Sequence, residues 1–78
     1  MNTRVAFYTR VGCHLCEPAR AIVQDVCAEL EVQWSEVDVD SDPTIREKYG
    51  DEVPVVSVDG AVVGFWRIDA NVLREALA

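Results

Sequence analysis

The stretch VGCHLCEPAR, residues 11–20, decides how the rest of the chain is read. Two of the three cysteines, Cys13 and Cys16, stand three apart within it. Before it, Arg4–Thr9 (RVAFYT) is rich in β-branched and aromatic residues and breaks off at Val11-Gly12, which predicts a strand. After it, Ala19, Ile22, Val23, Val26, Cys27 and Leu30 recur at spacings of three and four. Arg20, Gln24 and Glu31 share the opposite side, which predicts a helix from Leu15 to Leu30. Pro18 lies deeper than the favoured first helical position and is expected to remove a backbone bond or kink the first turn. The cysteine pair sits where a strand hands over to a helix.

That placement carries chemistry. Residues three apart on a helix have Cβ atoms about 5–6 Å apart, and a disulfide accepts Cα separations of roughly 4.4–6.8 Å. Cys13 and Cys16 can therefore bridge with little backbone movement. A helix N-terminus has unpaired N–H groups and a partial positive charge, so the pKa of Cys13 is expected below the ordinary value of about 8.5. Cys13, at the mouth of the helix, is the candidate nucleophile; Cys16, one turn in and screened by its own helix, is the candidate resolving thiol. Glu17 opposes a thiolate nearby, so the lowering rests on the helix terminus. His14 has two readings, a general base or a side chain facing solvent. Arg10 likewise either supports the thiolate or ends a solvated loop.

Cys27 is a different case. It lies eleven residues beyond Cys16, about 16 Å of helical rise, and on the apolar face. It reads as a small buried hydrophobe. The cysteine pair itself has two competing readings, half of a zinc site or an inert pair. A structural zinc site needs four ligands, and neither His14 nor distant Cys27 lets one chain close it.

Composition bounds the function. Seventy-eight residues predict one domain spanning residues 1–78 with one modest core. A net charge of −7, with fourteen acidic side chains against seven scattered basic ones, repels phosphate and argues against nucleic acid. No apolar run approaches the ~18–20 residues of a membrane span, and MNTRVAFYTR lacks signal-peptide architecture. A cytoplasmic protein away from membranes is the expectation, in a compartment where thiols stay reduced.

The remaining elements follow in order. Gln33–Asp40 (QWSEVDVD) alternates carboxylates with Val37 and Val39, which predicts an edge strand. Asp42-Pro43 opens a short helix with Ile45 and Tyr49 on one face and Gly50 as terminator. Val53–Val58, the dipeptide Asp59-Gly60 and Ala61–Phe65 predict a tight hairpin, with Pro54 at the start of its strand. Asp69 caps a last helix, and Ile68 and Leu73 form a hydrophobic staple. The class is α/β, in the order β-α-β-α-β-β-α. The first two strands are expected to be parallel with a right-handed crossover, and the hairpin adds antiparallel strands.

A strand, Cys-x-x-Cys at a helix start and Val-Pro before a hairpin together resemble the thioredoxin fold in its minimal glutaredoxin-type form. CHLCE followed by VDVDSDPTIREKYGDEVPVV is similar to the small bacterial glutaredoxin-like proteins, and the resemblance covers nearly the whole chain. It implies a four-stranded mixed sheet of order 2-1-3-4 with helices on both faces. It also implies a cis bond between Val53 and Pro54, although sequence alone favours trans. By the same resemblance the backbone of Val53 pairs with an extended thiol substrate. Glutathione-using glutaredoxins carry a Gly-Gly pair followed by an Asp. Here the stretch is Gly64-Phe65-Trp66-Arg67-Ile68-Asp69, with Phe65 in place of the second glycine and Asp69 later. Trp66 and Arg67 either rim a substrate groove or pack over the sheet edge.

The function expected from these residues is thiol–disulfide exchange by a monomer with no bound cofactor. Its substrate would be a disulfide-bearing protein or a small thiol, and its electrons would come from glutathione as co-substrate or from a flavoprotein reductase. The alternative is a non-catalytic binding module of the same fold, or a dimeric iron–sulfur cluster carrier.

Overall fold

Period-two alternation builds the central strand. In β1 (Val5–Thr9), Val5, Phe7 and Thr9 are buried while Ala6 and Tyr8 are half-buried. The computed structural model describes residues 3–78, so the first two residues of the expected domain lie outside the described ones. β1 runs parallel to β2 (Trp34–Asp38) and antiparallel to β3 (Val55–Val58), which pairs in turn with β4 (Ala61–Phe65). The sheet order is β2-β1-β3-β4, as the resemblance implied, and the acidic second strand lies at an edge.

The two faces of β1 sort the helices. Val5 and Phe7 join Cys16, Ala19, Val23, Val26 and Cys27 of α1 (Cys16–Glu29) in one core cluster. Val56 and Val58 of β3 and Leu73 and Leu77 of α3 (Ala70–Leu77) complete it. Each large apolar side chain buried there stabilises the fold by about 1.5–3 kcal/mol before entropy is counted. Tyr8 points the other way, and its ring centroid lies 4.6 Å from that of Tyr49 on α2 (Pro43–Tyr49). Helices therefore cover both faces. The β3–β4 turn has Asp59 at φ 52° and Gly60 at φ 87°, both positive as a type I′ hairpin requires.

Several boundaries differ from expectation where local bonds intervene. The second strand stops at Asp38 rather than Asp40. There the Asp38 carboxylate accepts the Asp40 N–H at 2.9 Å, and the hydroxyl of Ser41 donates to the Asp38 carbonyl, folding residues 39–41 into a 3₁₀ turn. That turn carries Val39 into full burial. The third strand begins at Val55, because Pro54 has no N–H for the ladder; the Val53–Pro54 bond is cis, as the resemblance implied. The first helix begins at Cys16, its first intrahelical bond running from the Ala19 N–H to the Leu15 carbonyl. Pro18 is thus the third helical residue, where an N–H has no intrahelical partner, so it removes no bond. At the far end Glu31 takes φ 56°, and the Val32 N–H reaches the Cys27 carbonyl at 2.8 Å, a Schellman closure without glycine.

Candidate functional site

The reactive turn follows directly from where β1 ends. The Cys13 N–H donates to the Arg10 carbonyl at 3.2 Å and the Cys16 N–H to the Cys13 carbonyl at 3.3 Å, so two successive turns carry the chain into α1. Cys13 therefore lies three residues ahead of the helix instead of at its cap. The cap position belongs to Leu15, which offers no side-chain bond and whose backbone is already helical (φ −78°, ψ −15°). Even so, the two Cα atoms are 5.4 Å apart and the sulfurs are joined in a disulfide. Cys16 is 2 % exposed, whereas Cys13 is half-buried. The two cysteines are thus unequal in accessibility.

Charges around the turn are mostly committed. Glu17 is held by Arg20, Nη1 to Oε1 at 2.9 Å, and Arg20 also grips Glu36 with two bonds. The negative charge beside Cys16 is therefore partly offset. Arg10 does not reach toward solvent: its Nε and Nη2 donate to the two Asp40 oxygens at 3.0 Å, and its Nη1 donates to the Gly50 carbonyl at 3.2 Å. The bidentate guanidinium holds the Asp40 carboxyl below the usual carboxylate range. Arg10 thus ties the end of β1 to the far end of α2. Gly50 suits that tie, since a Cβ there would stand 2.5 Å from the Arg46 carbonyl and 3.3 Å from the Arg10 guanidinium. His14 is exposed. Cys27 is 1 % exposed inside the core, and burial pushes its thiol pKa up, so it is the inert cysteine of the three.

In the loop before β3, Pro54 is fully buried and Val53 packs half-buried against the core. Among the described residues the backbone N–H and C=O of Val53 take no backbone partner. Trp66 latches onto this loop. Its N–H donates to the Pro54 carbonyl at 2.9 Å and its indole Nε1 to the Asp51 carbonyl at 3.3 Å. Trp66 adopts φ 62°, and the Arg67 N–H bonds back to the Phe65 carbonyl at 2.8 Å, which is a γ-turn of the positive-φ kind. A tryptophan held there costs about 1–2 kcal/mol of backbone strain.

Trp66 and Arg67 stand opposite residues on the α1 side. Both line an open groove of about 570 Å³ whose other wall is Leu15, Pro18 and Ile22 of the α1 side. Leu15, Pro18 and Ile22 were missed as site residues. Their spacing of three and four was the available signal, but the same spacing also describes a core-facing stripe. The turn at Trp66 had no signal, because nothing in a sequence announces a tryptophan at positive φ.

Known proteins share this fold. Residues 4–78 match the family model described as Glutaredoxin-like domain (DUF836). The chain is 31 % identical over 80 residues to the uncharacterized protein Rv0508 of Mycobacterium tuberculosis, spanning 96 % of this chain and 82 % of that one. It is similar to the crystal structure of target protein XcR50 from X. campestris, with TM-score 0.75 and 30 % identity over 94 % of this chain and 93 % of that one. Thioredoxin 1 of Thermosipho africanus, at 15 % identity, shares the fold with TM-score 0.65 over 94 % of this chain and 92 % of its own.

Proposed function

Since the chain belongs to the glutaredoxin-like domain family, we propose that it is a thiol–disulfide oxidoreductase working through Cys13 and Cys16. The observation that carries the reading is the unequal pair: a half-buried sulfur joined to a buried one across a Cα separation of 5.4 Å. In the reduced protein the Cys13 thiolate attacks one sulfur of a substrate disulfide. The substrate S–S bond breaks, a mixed disulfide forms on Cys13, and one substrate thiolate leaves. Cys16, having lost its proton, then attacks the Cys13 sulfur, closing the intramolecular disulfide and releasing the second substrate thiolate. The substrate gains two electrons and the protein loses two. A thiol such as glutathione, or a flavoprotein reductase, returns them.

Supporting groups have separate tasks. At the open end of α1 the Glu17 N–H has no backbone partner among the described residues and favours negative charge nearby, the Cys16 N–H being spent on the Cys13 carbonyl and Pro18 having none. The unpartnered backbone of Val53 can accept an extended substrate as a short strand-like pair. Pro54 fixes that backbone, Trp66 and Arg67 border it, and Arg10 holds the turn in place instead of touching substrate. His14, exposed on the outer side of the turn, stands available to the incoming chain.

The test is trapping. Cys16→Ser is expected to accumulate a stable mixed disulfide through Cys13, seen as a mass adduct released by reductant, and Cys13→Ser is expected to accumulate none. Capture by neither variant, together with no disulfide reduction by the wild type, would end this reading.

A further inference from the structure

The loop between α2 and β3 is tied down at every carbonyl but one. The Gly50 carbonyl accepts from Arg10 Nη1 at 3.2 Å. The other ties come from a single residue beyond the end of β4. The indole Nε1–H of Trp66 donates to the Asp51 carbonyl at 3.3 Å. Its backbone N–H is shared between the Pro54 carbonyl at 2.9 Å and the Glu52 carbonyl at 3.4 Å. Between Gly50 and Pro54 only the Val53 carbonyl is left without a hydrogen-bond partner among the described residues, and the Val53 N–H has none either. Backbone groups seldom stay unpaired, and an extended segment laid along Val53 would supply both partners at once.

The residue that makes these ties is strained. Trp66 takes φ 62° in the γ-turn that closes on the Phe65 carbonyl. A glycine would hold that turn without steric conflict. The indole brings two contacts that a glycine lacks, the bond to Asp51 and an edge-to-face packing on Phe65 with ring centroids 5.2 Å apart. Any aromatic ring could pack on Phe65. Only a ring that carries a donor can reach the Asp51 carbonyl, so the bond to the loop is what sets tryptophan apart from phenylalanine here.

We propose that Trp66 is a positioning residue for disulfide substrates that carry peptide backbone: its indole N–H holds the loop at Asp51, so that the N–H and C=O of Val53 stay presented to the substrate chain. The inference rests on the oxidoreductase reading and on the pairing role given there to Val53. Trp66 acts through the loop and not on sulfur. Its effect therefore follows the substrate's use of Val53 and not the reactivity of the cysteines. A disulfide flanked by peptide amides loses pairing when the loop loosens, whereas 2-hydroxyethyl disulfide has no amide to pair.

The test compares the reduced full chain with Trp66→Phe and Trp66→Gly. Each is given a peptide with one intramolecular disulfide and, separately, 2-hydroxyethyl disulfide. Trp66→Phe keeps a ring beside Phe65 and removes the donor; Trp66→Gly removes both and relieves the turn. The peptide-over-hydroxyethyl ratio of kcat/KM is expected to fall about threefold in Trp66→Phe and about fivefold in Trp66→Gly, mostly through the peptide's KM. A second peptide, N-methylated at the amides flanking its cysteines, tests the route. Its penalty is expected to be about fivefold with the wild type and less than about twofold with Trp66→Gly, because the two changes remove the same pairing. An unchanged ratio, whether both rates hold or both fall together, would overturn the proposal. So would an N-methylation penalty equal in the wild type and Trp66→Gly. In either case continued reduction of 2-hydroxyethyl disulfide leaves the oxidoreductase reading standing, and no reduction of any disulfide by the wild type overturns both.

Discussion

The β1–α1 and β4–α3 junctions are both strand-to-helix turns bordering the same groove, yet they are fixed in opposite ways. At the second, the chain secures itself locally: Asp69 is extended (φ −102°, ψ 121°) and its carboxylate caps two N–H groups of α3. At the first, Leu15 caps nothing, and the turn is held from a distance by Arg10 on Asp40 and Gly50 and by the disulfide. A capping carboxylate beside Cys13 would supply its own negative charge to the helix N–H groups and repel a thiolate. Leaving α1 uncapped gives up roughly 1 kcal/mol of helix stability and keeps a capping carboxylate away from the cysteine pair. The contrast is between a turn closed by its own carboxylate and a turn left open at the helix end.

The tie between Arg10 and Gly50 is the first place to break that contrast. Gly50→Ala forces the Arg46 carbonyl or the Arg10 guanidinium to move and is expected to lower stability by about 1–3 kcal/mol, read by urea denaturation. An unchanged midpoint would show that the first junction does not depend on its distant anchor. At the second junction, Asp69→Ala is expected to lower stability by about 1 kcal/mol and Asp69→Ser to restore most of it, by the same measurement. A larger loss would mean that Asp69 does more than cap.

Leu15→Asp sharpens the comparison by putting a carboxylate where the first junction has none. Because the backbone there is helical and not extended, it should gain less than about 0.5 kcal/mol of stability. The new charge should slow exchange with 2-hydroxyethyl disulfide about fivefold, seen in stopped-flow traces. Faster exchange would contradict the role given to the open helix end. The smallest effect concerns acid. Asp40 titrates below its ordinary range when folded, so its contribution is complete above about pH 4 and disappears as pH falls through the lowered value. The difference in Tm between wild type and Asp40→Asn is expected to shrink over that acid range. A constant difference would place the Arg10 tie outside the pH response.

Legibility followed the range of the interaction. Asp42, Asp59-Gly60 and Asp69 act on backbone groups one to three residues away, and each does what the sequence implied. The cysteine pair was legible for the same reason, since residues three apart meet without help from the rest of the chain. Arg10 was harder. It looked like a free cation near a thiol, and only folding brought Asp40, thirty residues away, and Gly50, forty away, to its guanidinium. Val39 was read as part of a strand because its pattern alternates, but the Asp38 and Ser41 bonds turned it inward.

By itself the sequence determined the element order, the three aspartate-marked turns, the bridging cysteine pair and the buried third cysteine. These depend on propensities and spacings that act over a few residues. Tertiary structure alone decided which charges are spent and which remain: among the described residues Arg46 and Arg67 have no carboxylate while the four other arginines found one. It also decided that Trp66 turns out of β4 at positive φ to face α1. Both outcomes depend on groups far apart in the chain, whose meeting is fixed by the packing of the whole sheet and its helices.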